Sequence, residues 1–202
     1  MAIIKDFPKM KTLLRGLSGK IGGFVFRQVR GRTVISTCPR KPVRLTEHQK
    51  KSKATFLRAA QYAKEQLCDP VSAAEYRKGI TDRKHSAYVV AMTDYLKAPE
   101  IHLVDTSNYH GVAGGRINVH ATDDFRVVSV DVTIIDPDGV MIEQGPAKCR
   151  RNNYDLWYYK TTRRSSALFG TKIIVTARDK PGNATTFETV ITPETRHPNH
   201  SW

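Results

Sequence analysis

Between residues 116 and 192 the chain repeats one pattern: short runs of alternating apolar and polar residues, each closed by turn residues, with no helical period between them. Val128-Ser129-Val130-Asp131-Val132-Thr133-Ile134 carries it most clearly. A period of two sends successive side chains to opposite faces, so such a run folds as a strand with one face buried. The spacing predicts strands over Ile117–Ala121, Val127–Ile135, Val140–Glu143, Leu156–Lys160, Lys172–Ala177 and Phe187–Ile191. Asp136-Pro137-Asp138-Gly139 is the turn between two of them. Strands in series without helices predict a β-sandwich, with Trp157 suited to its core.

The first half reads differently. Residues 1–15 form a basic lead-in, with a helical turn expected near Met10–Leu14. Four glycines between Gly16 and Gly23 forbid a stable helix and read as a flexible joint. Phe24–Val29 and Arg32–Thr37 then form a β-hairpin around Arg30-Gly31, stopped by Pro39 and Pro42. Thr46-Glu47-His48-Gln49 has the form of a capping box, which starts a helix over about 47–67. Phe56, Ala59, Ala60, Ala63 and Leu67 make its apolar face. Asp69-Pro70 ends it. Further helices are expected over about 71–78 and 82–96, the last closed by Pro99.

Charge is concentrated at the front. The formal net charge is +14, and residues 1–60 hold 15 lysines and arginines against two acids, Asp6 and Glu47. Such a patch raises the local concentration of anionic partners. Arg27, Arg30 and Arg32 lie on or beside the hairpin turn; Arg40, Lys41 and Arg44 follow, then Lys50, Lys51 and Lys53 on the first helix. These nine residues are the candidate nucleic-acid or polyanion site, interleaved with Phe24 and Phe26. Phosphate contacts of this kind give affinity without base specificity. A solvated basic face, with Phe24 and Phe26 packed on the first helix, is the plain structural alternative.

The strand ending Thr176-Ala177-Arg178-Asp179, followed by Lys180-Pro181-Gly182-Asn183, resembles a hairpin of bacterial immunoglobulin-like modules. The resemblance covers 116–192 and implies an immunoglobulin-like sandwich acting as a spacer, adhesion module or assembly contact. Without a Cys…Trp…Cys spacing, the antibody-type disulfide is absent from it. The front half, from the Gly/Ser-rich Leu17–Gly23 through the basic hairpin to the Thr-capped helix, is similar to short bacterial proteins of unknown function. That similarity implies no catalytic residues.

No enzyme motif completes itself. Lys20 follows Gly16–Gly19 but precedes Ile21 and a strand, so the segment is not a phosphate-binding loop. Ser18 lacks the nucleophile-elbow spacing. His197 and His200 flank a proline near the terminus, which spoils a helical metal face. Cys38, beside Arg40 and Lys41, has no partner base in view. Cys38, Cys68 and Cys149 form no CxxC pair, which excludes a zinc module or disulfide scaffold. Asp123-Asp124, Asp136/Asp138 and Asp179/Asn183 fall at strand ends, where turn chemistry competes with calcium binding and is the expected role.

The expected architecture is therefore α+β: a basic hairpin-plus-helix unit over 1–98, a linker or first edge strand over 99–115, the sandwich over 116–192 and a tail over 193–202. The expected function is non-enzymatic, with no cofactor, no metal and no catalytic residue. The basic unit contacts nucleic acid or another polyanion and the sandwich makes protein contacts. A structural or assembly protein, virion-like or self-associating, with an acidic protein as partner, is the alternative. No apolar run approaches the ~18 residues of a membrane span, and the first residues lack a signal peptide's apolar stretch, so the expected location is the cytoplasm.

Overall fold

The computed structural model describes residues 17–29, 31–38, 44–151, 153–165 and 167–193. Within them the chain is α+β and predominantly β, with three helices and three antiparallel sheets. It divides into two compact units, Met1–Lys50 and Lys51–Trp202.

The first unit holds a three-stranded sheet in the order β1-β2-β3: β1 Gly19–Ile21, β2 Phe24–Val29 and β3 Arg32–Thr37. The hairpin lies where the sequence places it. Gly31 takes φ +72°, the conformation its turn demands. The glycine segment is not the flexible joint expected. Gly22, at φ +57°, turns the chain so that Ile21 pairs with Phe24 and Gly19 with Phe26, which adds β1 to the hairpin. The helical turn expected near Met10–Leu14 lies outside the described residues.

Helix α1 spans Glu47–Cys68, α2 Pro70–Lys78 and α3 Ala87–Leu96. The capping box forms: Gln49 N–H donates to Thr46 Oγ1 at 3.2 Å, and Thr46 N–H to Gln49 Oε1 at 3.0 Å. Asp69 caps α2 by accepting from Ser72 N–H at 2.9 Å, with Pro70 in the first turn, where its missing N–H costs nothing. Helix α3 starts five residues later than expected, at Ala87, because Ser86 takes the cap and accepts from Val89 N–H at 3.3 Å. Ala59 and Ala63 of α1 are buried as read, but Phe56 is 51 % exposed.

Two four-stranded sheets complete the second unit. Strands β4 Glu100–Asp105, β5 Arg116–Thr122, β9 Asn153–Lys160 and β8 Lys148–Arg150 run in the order β4-β5-β9-β8. Strands β11 Ala184–Val190, β10 Lys172–Asp179, β6 Val127–Ile135 and β7 Met141–Pro146 run in the order β11-β10-β6-β7. The alternation in β6 does what period two dictates: Val130, Val132 and Ile134 are buried while Val128 is exposed. They share one core with Ile117, Val119, Trp157, Ile173 and Val175, contributed by both sheets.

A smaller core joins Ala63, Tyr76, Val90 and Ala91, with Phe125 from the β5–β6 loop packed on it. This burial joins the helical residues from Lys51 onward to the second unit. Gly79 sits where this packing is tightest: a Cβ there would lie 2.8 Å from Val90 Cγ1 and 3.0 Å from the Phe125 ring. Gly79→Ala is expected to destabilise the chain by about 1–3 kcal/mol through overpacking. Gly23→Ala, which meets no atom within 4 Å, is expected to change little. Urea unfolding of the two variants measures the contrast, and equal midpoints would sink this account of the helix–loop packing.

Candidate functional site

The basic candidates lie on two kinds of element. In the small sheet Lys20 pairs with Val25, Arg27 with Val34, and Val29 with Arg32. Cross-strand partners share a face and alternate residues of β2 share a face, so Lys20, Arg27 and Arg32 all project from one side. All three are exposed, and none forms an ion pair with an acid among the described residues. Ile21, Phe24, Phe26 and Ile35 occupy the opposite face. Arg44 precedes α1 and Lys50, Lys51 and Lys53 lie in its first turns, all exposed. Lys50 is held by Glu47 at 2.7 Å. Arg30, Arg40 and Lys41 lie outside the described residues, as do His197 and His200.

A second constellation was not visible as a group in the sequence. Asp94 on α3, Asp123 in the β5–β6 loop and Asp179 at the end of β10 bring carboxylate oxygens within 4.8 Å of one another. Asp94 is fully buried and Asp179 nearly so. Each carboxylate is held by neutral donors. Tyr76 Oη–H donates to Asp94 Oδ2 at 2.7 Å, and the Tyr62 hydroxyl lies 2.8 Å from that of Tyr76. Asp123 Oδ2 accepts from the backbone N–H groups of Phe125 and Arg126 at 3.3 and 3.1 Å. Asp179 Oδ1 accepts from Gly182 and Asn183 N–H at 2.8 and 2.6 Å, and its Oδ2 from the Asn183 amide at 2.7 Å.

The turn chemistry read for Asp123 and Asp179 is thus present. Asp136 does the same in its own loop, where Oδ1 accepts from Asp138 and Val140 N–H at 3.1 and 2.8 Å. What the sequence could not supply is Asp94, a lone acid in an otherwise largely apolar helix. The cluster also separates two neighbours in sequence. Asp124 leaves it and pairs with Lys84 at 2.7 Å and Lys97 at 2.9 Å. Burial raises Asp124, but the hydrogen bonds from Lys84 and Lys97 outweigh it and bring the carboxyl down to about 2.

Asp94 has no such cation. Burial above all, then the Asp123 and Asp179 carboxylates, push it up to about 7 against the donation from Tyr76. Asp179 is raised by burial too, partly opposed by its Asn183 and Gly182 bonds. Unfolded, Asp94 ionises near 3.8; folded, near 7. Between those values the folded chain keeps a proton that the unfolded chain has released. Stability from this group therefore falls as pH rises from about 4 to about 7, by at most about 1.4 kcal/mol per pH unit, and levels off above. In Asp94→Asn the side-chain amide replaces the protonated acid at every pH, so the slope should flatten. Urea unfolding in metal-free buffer across this interval measures it, and a wild-type slope matching that of the variant would contradict the buried acid.

Outside this cluster the cysteines are free, and burial raises the Cys149 thiol, the opposite of an activated nucleophile. No helix among the described residues is long and apolar enough to cross a membrane.

No protein-family model matches the chain, and no curated protein matches it. Among solved structures, CopC from Methylosinus trichosporium OB3b aligns with 45 % of this chain and 87 % of its own, at 10 % identity and a TM-score of 0.34.

Proposed function

We propose that this chain is a non-enzymatic binding protein whose basic unit grips nucleic acid or another polyanion. The observation that carries the reading is the alignment of Lys20, Arg27 and Arg32 on one exposed sheet face, with no acid against them among the described residues. Exposed cations aligned on one sheet face suit a phosphate backbone, which they contact without reading sequence. Arg44, Lys51 and Lys53 add exposed charge around the start of α1.

The two larger sheets fit an immunoglobulin-like module that makes protein contacts. Strand order supports it. Naming β4 to β11 in turn A, B, C, C′, D, E, F and G gives one sheet A-B-E-D and another G-F-C-C′, the arrangement of that class. Trp157 stands on β9 rather than on the C strand, a departure from the antibody pattern. Three free cysteines support a reducing compartment such as the cytoplasm.

A structural or self-associating role is the second reading. The far face of the small sheet favours it, since Ile21 and Phe24 there are 54 % and 51 % exposed. An oligomer that persists at high salt would mark that role, because apolar contacts resist screening.

Duplex DNA and RNA binding by the intact chain across a salt series is the test. Three phosphate contacts predict a slope of about −2.7 in log K against log salt for duplex DNA, and steeper if the helix cations join. Arg27→Glu with Arg32→Glu is expected to lower affinity at least tenfold and to reduce the slope by about 2. Absence of binding by the unaltered chain at low salt, or an unchanged slope in the double variant, would remove the reading.

A further inference from the structure

We infer that Asp94, Asp123 and Asp179 form a binding site for a hard divalent cation of the calcium class, which ties α3 to the β5–β6 loop and the β10–β11 hairpin.

The argument starts from unfilled acceptors. Asp94 is fully buried, yet its Oδ1 has no hydrogen-bond donor, and the buried Oδ1 of Asp123 has none either. Buried acceptors are nearly always satisfied, and an orphaned carboxylate oxygen is among the costlier exceptions. Here two orphans belong to a single cluster. Their partner oxygens, Oδ2 in both residues, are already held by Tyr76 and by the Phe125 and Arg126 amides. Each carboxylate is thus oriented by an outer contact, with one oxygen left over, the way metal-ligating carboxylates are set by their supporting shell.

Charge makes the same demand. The three acids carry a formal −3, and among the described residues no lysine, arginine or histidine pairs with any of them. The nearby cations are committed elsewhere: Lys84 and Lys97 to Asp124, Lys180 to Glu75 at 2.6 Å. One proton shared by Asp94 and Asp123 neutralises only one of the three groups. That proton also bridges the two orphaned oxygens, whereas a divalent ion in contact with both satisfies them and offsets two charges. One oxygen from each acid lies within 4.8 Å of the others, a separation comparable with that of ligands sharing one ion at calcium–oxygen distances of 2.3–2.6 Å. An all-oxygen carboxylate set selects hard cations over zinc or copper, and water completes the shell.

The test uses the full chain, stripped with chelator and held near pH 8 so that protons do not compete. Calcium chloride is titrated calorimetrically, and thermal unfolding is followed with and without millimolar calcium. A one-site isotherm and a rise of several degrees in Tm are expected. Asp94→Asn and Asp123→Asn are near-isosteric and relieve repulsion, so both should fold, as far-ultraviolet circular dichroism would verify. Each should weaken calcium at least tenfold and abolish the Tm response. Asp138→Asn, in the exposed β6–β7 turn, should keep both. No heat and no Tm change with calcium, magnesium or manganese would overturn the site and leave the shared proton as its only occupant. A full response in Asp94→Asn and Asp123→Asn would overturn it as well, by placing the ion elsewhere.

Discussion

The side-chain amide of Asn183 reaches from the β10–β11 hairpin to the end of α3, where it meets the carbonyls of Tyr95 and Lys97 at 3.2 Å and that of Asp94 at 3.4 Å. The last carbonyls of a helix have no partner within it. One amide from a distant hairpin takes up that need and fixes where α3 ends against the sheets. Lys180, three residues earlier, donates to Glu75 and Ser72 of α2 and lies 4.8 Å from the Tyr76 ring centroid. One short turn, held open by Gly182 at φ +96°, thus anchors two helices. The position of Asp94 beside Asp179 follows from this docking, and with it the acidic cluster.

Two adjacent aspartates then show how environment overrides residue type. Asp123 turns toward Asp94 and Asp179, which bring no cation, while Asp124 turns toward Lys84 and Lys97. Desolvation opposes ionisation at Asp94 and at Asp124 alike. What differs is whether a cation offsets it. Asp124 stays charged and fastens the β5–β6 loop to Lys84 and to Lys97. Asp94 holds its proton to about neutrality and accepts a hydrogen bond from Tyr76, whose own hydroxyl burial keeps protonated. The Tyr62–Tyr76–Asp94 chain is therefore a neutral network at moderate pH, in an interior where an unpaired charge is expensive.

Features with a local cause were legible in the sequence. Alternation in Val127–Ile135 needs only the pleat of a strand, and the capping box at Thr46 only four consecutive residues. Once the Arg30-Gly31 turn is placed, the register puts Arg27 and Arg32 on one face, because Val29 must sit opposite Arg32. What escaped has a non-local cause. The three-residue β8 is too short for a period to register, and it exists because Lys148 and Cys149 meet Tyr158 and Trp157 of β9. The Gly22-Gly23 turn reads as a break until β1 pairs across it. Phe56 falls on the apolar stripe of α1, but the buried part of that stripe begins beyond it, at Ala59. Asp94 joins Asp179 across 85 residues of chain through the docking of α3 alone. A helical Asp between Thr93 and Tyr95 carries no sign of that.

The two charged features respond to different variables of the solution. Lys20, Arg27 and Arg32 stand in water, where interactions beyond about 8–10 Å are screened at ordinary ionic strength. Their attraction for a polyanion decays smoothly with salt. Asp94 and Asp179 of the acidic cluster are buried, so monovalent salt screens the cluster little. Only a species that enters it, a proton or a coordinated cation, changes its charge. Salt and divalent ions thus form orthogonal axes. A loss of polyanion binding at high salt says nothing about the cluster. A change in stability on adding a divalent ion at constant ionic strength reports on the helix–hairpin joint and not on the basic face.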